Sequence, residues 1–230
     1  MSELKIFSYQ HNQSLNPVQK SRMFSVLNIY EREKAKSFKQ PLDADISLIS
    51  RYLLRQILSP LCGRKADEIE FLYNEYNRPY LNEFDFNISH SGNRIAIAAN
   101  PYGRVGIDIE KIRKVEENIA ELCFTEEEKI YIFNNKKFDL EKFFEFWTLK
   151  EAFIKADGKG MSYPLLDFYF EIDEKIKLNF KKSDSSIKWM FEKIAIDPEY
   201  KMALCYEGDN LITKLEIITD LNINIDEYFK

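Results

Sequence analysis

The spacing of apolar residues along this chain runs helical, then strand-like, then helical, then strand-like again, and that order restricts the fold more than any single motif. Asn16-Pro17 opens a helical segment that continues through Tyr30 to Lys39, and residues 43 to 61 keep helical spacing up to Pro60. From Ile69 the runs become short and β-prone, at 70–73, 86–89, 94–99 and 105–109, broken by Gly, Asn and Pro. Thr125 followed by Glu126, Glu127 and Glu128 has the form of an N-cap with an acidic first turn. A long amphipathic helix is expected from Leu140 to Ala156, ended by Gly158. Strand-like runs return at 167–172, 175–180, 187–196, 201–206 and 211–217, with Asp197-Pro198 as a turn and a loosely held tail from 222 to 230. Helices then strands, twice over, predict an α+β fold with two similar lobes.

No linker divides those lobes. Only 7 Gly and 7 Pro are spread through 230 residues, so two lobes must pack together without a flexible tether. Hydrophobic residues make up 45% of the chain, enough for one sizeable core or two fused ones. The net charge is -5, so an anionic partner must be held by a local group of Lys and Arg, and general nucleic-acid binding is not expected. Cys62, Cys123 and Cys205 form neither a CxxC pair nor an even set, which suits thiols in a reducing, cytoplasmic setting. The polar start through His11 lacks a signal core and no apolar stretch reaches the roughly 18 to 20 residues that cross a bilayer, so neither secretion nor a membrane is expected.

Three segments carry chemistry. In Gly106-Ile107-Asp108-Ile109-Glu110, alternation on a strand turns Ile107 and Ile109 to the core and puts Asp108 and Glu110 on the opposite face. Their mutual repulsion is removed by a cation such as Mg²⁺, although a solvated acidic strand edge has the same pattern. In Trp147-Thr148-Leu149-Lys150-Glu151-Ala152-Phe153-Ile154-Lys155, spacing by four aligns Trp147, Glu151 and Lys155. The turn Asp157-Gly158-Lys159-Gly160 follows, and a lysine beside an amide-rich turn suits a phosphate; a plain surface Glu–Lys pair fits equally. Asn87-Ile88-Ser89-His90-Ser91 places hydroxyls and an imidazole at a strand end, where they can donate to phosphate oxygens. His11, with no partner motif, reads as structural.

The concentrated positive region is Arg32, Lys34, Lys36 and Lys39 with Arg51 and Arg55, either a solvated helix face or a clamp for an anion. Arg55 lies in an apolar run, where a cation calls for an anionic partner. No phosphate-loop, GxGxxG, HExxH or GxSxG motif occurs, which removes the common nucleotide, zinc-protease and α/β-hydrolase readings.

Taken in order, Asn-Ile-Ser-His-Ser, Gly-Ile-Asp-Ile-Glu and Trp-x-x-Lys-Glu-Ala-x-x-Lys with Gly-Lys-Gly resemble the hallmark motifs of 4'-phosphopantetheinyl transferases of the long, surfactin-synthetase-activating (Sfp) type. The resemblance runs to about Tyr206. It implies two pseudo-twofold lobes, 1–105 and 106–230, with coenzyme A in the cleft between them. It also implies transfer of the phosphopantetheine arm to a serine of an acyl, aryl or peptidyl carrier protein, by an enzyme of the holo-[acyl-carrier-protein] synthase type working as a cytoplasmic monomer. By the match, Asp108, Glu110 and Glu151 would hold Mg²⁺, Lys155 the pyrophosphate, and Ser89 and His90 the coenzyme A phosphates. Lys34, Ser47, Arg55 and Arg78 would meet the 3'-phosphate or adenine. Glu31 stands where relatives can carry a second basic residue. Glu151 is the candidate proton acceptor, with Asp108 and Lys155 as its catalytic companions. Ile119, Leu122 and Phe124 offer a carrier-docking side, or core. A Mg²⁺ nuclease or phosphohydrolase would also use clustered carboxylates, and a non-catalytic carrier-binding module is the third reading.

Overall fold

The computed structural model describes residues 3–134, 137–182, 187–208, 212–219 and 221. Chain order is β1 (Glu3–Gln10), α1 (Pro17–Val26), α2 (Ile29–Ser37), α3 (Pro41–Cys62), β2 (Leu72–Tyr73), β3 (Pro79–Tyr80), β4 (Asp85–Ser91), β5 (Arg94–Asn100) and β6 (Val105–Lys111). There follow α4 (Ile119–Cys123), α5 (Glu126–Ile132), β7 (Phe133–Asn134), β8 (Lys137–Phe138), α6 (Leu140–Asp157), β9 (Phe168–Ile172), β10 (Ile176–Phe180), β11 (Trp189–Lys193), β12 (Tyr200–Glu207) and β13 (Ile212–Ile218). The stretch 222–230, expected as a tail, lies outside the described residues. Among the described residues no helix is long and apolar enough to cross a membrane.

The single helix expected from Asn16 to Lys39 is two. Asn16 and Asn28 each accept a backbone N–H three residues on, while Gln19 and Glu31 accept the cap residue's own N–H. These reciprocal bonds restart the helix at position 29. Pro60, expected to close α3, sits inside its last turn, and the helix ends at Gly63 with φ +62°. The polar start contains a strand: in β1, Leu4, Ile6 and Phe7 are at most 1% exposed, because both faces of the strand are covered.

The fold is α+β in two lobes. One sheet has the order β13-β1-β5-β4, with β13 parallel to β1, and α3 covers it through Ile49, Leu53 and Ile57 against Phe7, Phe86 and Ile97. The other has the order β11-β12-β6, with α6 laid over β6 and β12 through an aromatic core that includes Phe144, Phe153, Phe168 and Phe170. Each lobe thus sets a long helix on a sheet, and β13 returns to the first sheet from the second half of the chain. Between the sheets, Leu4, Ile6, Ala96 and Ala98 pack against Val105, Ile107, Ile109, Met202 and Leu204. This shared core joins the lobes without a tether.

Beside it runs a seam made of side chains. The N–H groups of Val105, Ile107, Ile109 and Lys111 donate to Asp85 Oδ2 at 2.8 Å, Asn87 Oδ1 at 3.1 Å, Ser89 Oγ at 3.4 Å and Ser91 Oγ at 3.1 Å. Every second residue of β4 therefore satisfies an edge amide of β6, where a backbone ladder would ordinarily do so. Arg78 ties the seam to α6. It pairs bidentately with Asp85 at 2.8 and 2.6 Å and donates to the carbonyls of Lys155, Phe86 and Val105.

Gly106 sets how closely α6 approaches β6. A Cβ there would overlap the Ala152 carbonyl oxygen and lie 2.5 Å from the Ala156 nitrogen. Without one, the helix lies directly on the strand and brings its side chains over those of the next residues, Asp108 and Glu110.

Candidate active site

At the seam, Ser89 and Ser91 each accept from a β6 amide and donate to a β6 carboxylate. Ser89 Oγ donates to Asp108 Oδ1 at 2.8 Å and Ser91 Oγ to Glu110 Oε2 at 2.6 Å. From α6, Lys155 Nζ reaches Asp108 Oδ1 at 2.6 Å, Ser89 Oγ at 3.0 Å and the Ile107 carbonyl at 3.3 Å. The Asp108 side chain is 4% exposed and that of Lys155 24%, so the pair is closed at one end and open to the cleft at the other.

Glu151, one helical turn before Lys155, completes the acidic group. Burial first, then the Asp108 charge, push its carboxyl up to about 7, with Glu110 adding and Lys155 opposing. Glu110 is raised by burial and by Asp108, against the lowering effect of Ser91. Trp147, aligned with Glu151 in the sequence, packs its ring on Phe124 and Phe143 and braces this face of α6.

Asp108 Oδ2 and Glu151 Oε1 are buried and have no hydrogen-bond partner among the described residues. Two orphaned carboxylate oxygens beside a third, repelled carboxylate are a donor set that suits a hard divalent cation. Among the described residues, however, no three acidic, His or Cys side chains close into a finished metal-binding group. The residues fit a cation that arrives with further ligands of its own, as Mg²⁺ does with water and phosphate oxygens.

Across the seam lies a cavity of about 280 Å³ lined by Arg51, Tyr76, Arg78, Pro79, Phe86, Ile88, Lys155 and the glycines 158 and 160. His90 borders the same positive region. Although its surface is exposed, the atoms packed around the ring lower its pKa, and Lys155, Lys34 and Arg51 lower it further, against Asp43. The imidazole is therefore neutral at pH 7, a donor without a charge of its own. Ser47 stands half-buried on α3 one turn before Arg51.

Arg55 is not at the cleft. It is 1% exposed and donates to Glu31 Oε2 and to the carbonyls of Ala66 and Ile69, under the Phe71 ring. The anion that its apolar surroundings call for is Glu31, itself 6% exposed. Glu31 is thus turned inward and neither strengthens nor opposes a phosphate clamp. Of the expected docking side, Phe124 is core at 1% exposure, while Leu122 is 75% exposed and Ile119 37%.

Several residues escaped sequence reading. The alternation Asp85, Asn87, Ser89, Ser91 was the available signal for the seam. Glu128, read as a helix-cap acid, is fully buried on Lys150 at 2.9 Å. His11 packs near Asp45 at 3.5 Å, with Lys20 on the same carboxylate at 2.9 Å, a structural cluster. A larger cavity of about 740 Å³ between α6 and the β11–β12 turn is not lined by Asp108, Glu110 or Glu151. Its charged side chains pair with protein groups, Lys142 and Lys193 with Glu145, and Lys201 with Glu141.

Comparison with known proteins agrees with the two-lobed layout. Residues 15–102 match the family model "4'-phosphopantetheinyl transferase, N-terminal", and residues 104–205 match "4'-phosphopantetheinyl transferase superfamily". The 4'-phosphopantetheinyl transferase Sfp of Bacillus subtilis is 31% identical over 206 residues, 88% of this chain and 92% of that protein. The 4'-phosphopantetheinyl transferase gsp of Aneurinibacillus migulanus is 32% identical over 208 residues, 86% of each. Among solved structures, the holo-[acyl-carrier-protein] synthase of Thermotoga maritima is 27% identical, with TM-score 0.40, over 46% of this chain and 64% of that one.

Proposed function

By these matches the chain belongs to the 4'-phosphopantetheinyl transferase superfamily, and we propose that it transfers the 4'-phosphopantetheine arm of coenzyme A to a carrier-protein serine, releasing 3',5'-ADP. The observation that carries this reading is the convergence of Asp108, Glu110 and Glu151 with Lys155 where the two matched halves meet. Asp108, Glu110 and Glu151 would hold Mg²⁺, which when bound offsets charge on the pyrophosphate.

The chain's own groups divide the remaining work. Lys155, partly exposed beside Asp108, turns its ammonium to the pyrophosphate and stabilises the leaving oxygen as the bridging P–O bond breaks. Ser89 and His90 orient phosphate oxygens by donation. Ser47, Lys34 and Arg78 border the nucleotide end; Arg78 does so chiefly by fixing the turn before β3. Glu151, whose carboxyl sits near neutrality, accepts the serine proton as the new O–P bond forms.

We infer a cytoplasmic monomer of the holo-[acyl-carrier-protein] synthase reaction type. The free thiols Cys62, Cys123 and Cys205 suit a reducing compartment, and both walls of the cleft come from one chain. Incubation with an apo acyl or peptidyl carrier protein, coenzyme A and Mg²⁺ tests the function. Mass spectrometry should find the arm on the carrier serine in step with 3',5'-ADP; an unmodified carrier with no nucleotide released overturns the reading.

A further inference from the structure

We propose that Arg51 sets the enzyme's selectivity for the 3'-phosphate of coenzyme A, gripping that phosphate together with Lys34. The proposal rests on the transferase reading above and replaces Arg55, which the fold has turned inward. Arg51 lies four residues before Arg55 on α3, so the two share a helix face on successive turns. One turn decides their fates: Arg55 is held by Glu31 and two carbonyls, whereas Arg51 lines the 280 Å³ cavity that also reaches Arg78 and Lys155.

Two further observations point to a ligand. The Nη1 group of Arg51 is buried and has no hydrogen-bond partner among the described residues, although guanidinium donors are rarely left so. The charges of Arg51, Lys34 and Lys155 also reach His90 together, so cations from α2, α3 and α6 gather around one strand end. On the near side Asp43 is the carboxylate that opposes them, because Glu31 of α2 faces Arg55 instead. An anion with several acceptor oxygens satisfies this arrangement. Lys155 is committed to the pyrophosphate end beside Asp108, which leaves Arg51 and Lys34 for the second anionic group of the nucleotide, its phosphate monoester. A planar guanidinium can meet two oxygens of that group at once.

The test compares 3',5'-ADP with 5'-AMP, which differ only in this phosphate. Calorimetric titration of wild type, Arg51→Met and Arg51→Lys without metal isolates the nucleotide end, and thermal melting of each variant reports folding. A charge-assisted contact predicts that wild type favours 3',5'-ADP by about 10- to 150-fold. In Arg51→Met that preference falls to a few-fold while 5'-AMP binding is unchanged, and Arg51→Lys lies between. A merely structural role would weaken both nucleotides equally. If wild type discriminates and Arg51→Met discriminates as strongly, the assignment of Arg51 falls and the transferase reading stands. If wild type binds neither nucleotide and leaves an apo carrier unmodified, both fall.

Discussion

Helix α6 carries two lysine–carboxylate pairs little more than one turn apart, and their surroundings give them opposite properties. Lys150 and Glu128 are wholly buried at 2.9 Å, with the ammonium also donating to the Leu165 and Phe168 carbonyls and lying 4.3 Å from the Phe168 ring centre. Glu128 in turn accepts the N–H groups of Thr125 and Phe170. Burial weighs against both charges, raising the Glu128 pKa and lowering that of Lys150, yet protein groups surround both. Lys155 and Asp108 are closer, at 2.6 Å, but Asp108 keeps one oxygen unanswered and Lys155 stays partly exposed. A pair whose bonding capacity is filled fixes structure, and one left incomplete is prepared for a ligand.

The largest expected effect that separates the two pairs is on turnover. Glu151→Gln should lower the transfer rate by about 10²- to 10⁴-fold, the range for loss of a general base, while its unfolding midpoint holds or rises because a crowded carboxylate has been neutralised. Full turnover would remove Glu151 from the proton-accepting role. Lys150→Met should do the reverse by stranding Glu128, costing about 3–5 kcal/mol in denaturant unfolding. The double variant Glu128→Met/Lys150→Met should recover much of that loss, and a double variant no better than the single one would show that the buried pair is net stabilising.

Acidity gives a finer contrast. The folded-state pKa of Glu151 is raised to about 7 from an ordinary 4.5, so between those values the folded protein holds a proton that the unfolded chain has lost. The stability this proton confers is fully present below about pH 4.5 and is lost as pH rises through 7. Activity has the opposite slope, falling towards acid pH as the base is protonated. Glu151→Gln should flatten the stability slope, and a slope unchanged in that variant would assign it to another group. Added Mg²⁺ should shift the activity limb to lower pH. The smallest effect concerns the seam. Asn87→Ala leaves the Ile107 amide unanswered and should cost about 1–3 kcal/mol, read by chemical denaturation.

Sequence reading reached furthest where periodicity and chemistry coincide. Asp108 and Glu110 alternate with Ile107 and Ile109, both at 0% exposure in the shared core, and i, i+4 spacing places Glu151 and Lys155 on one face of α6. It failed where the answer depends on a distant segment. Strand β1 hides its apolar pattern because both faces are covered. Arg51 and Arg55 are indistinguishable by helical spacing, and only the position of Glu31 on α2 decides which is buried. Glu128 has the local form of a cap acid, and its partner lies 22 residues downstream at Lys150.

The seam between β4 and β6 has a mechanical consequence. A backbone ladder changes register in steps, since shifting by one residue reverses every side chain and shifting by two moves the strand by about 6.8 Å. A joint made by Asp85, Asn87, Ser89 and Ser91 has no such quantum, because each bond follows the rotation of its side chain. The gap between the halves can therefore be adjusted by fractions of an ångström, like a sliding fit rather than a ratchet, and two of its four pins are the serines that hold Asp108 and Glu110.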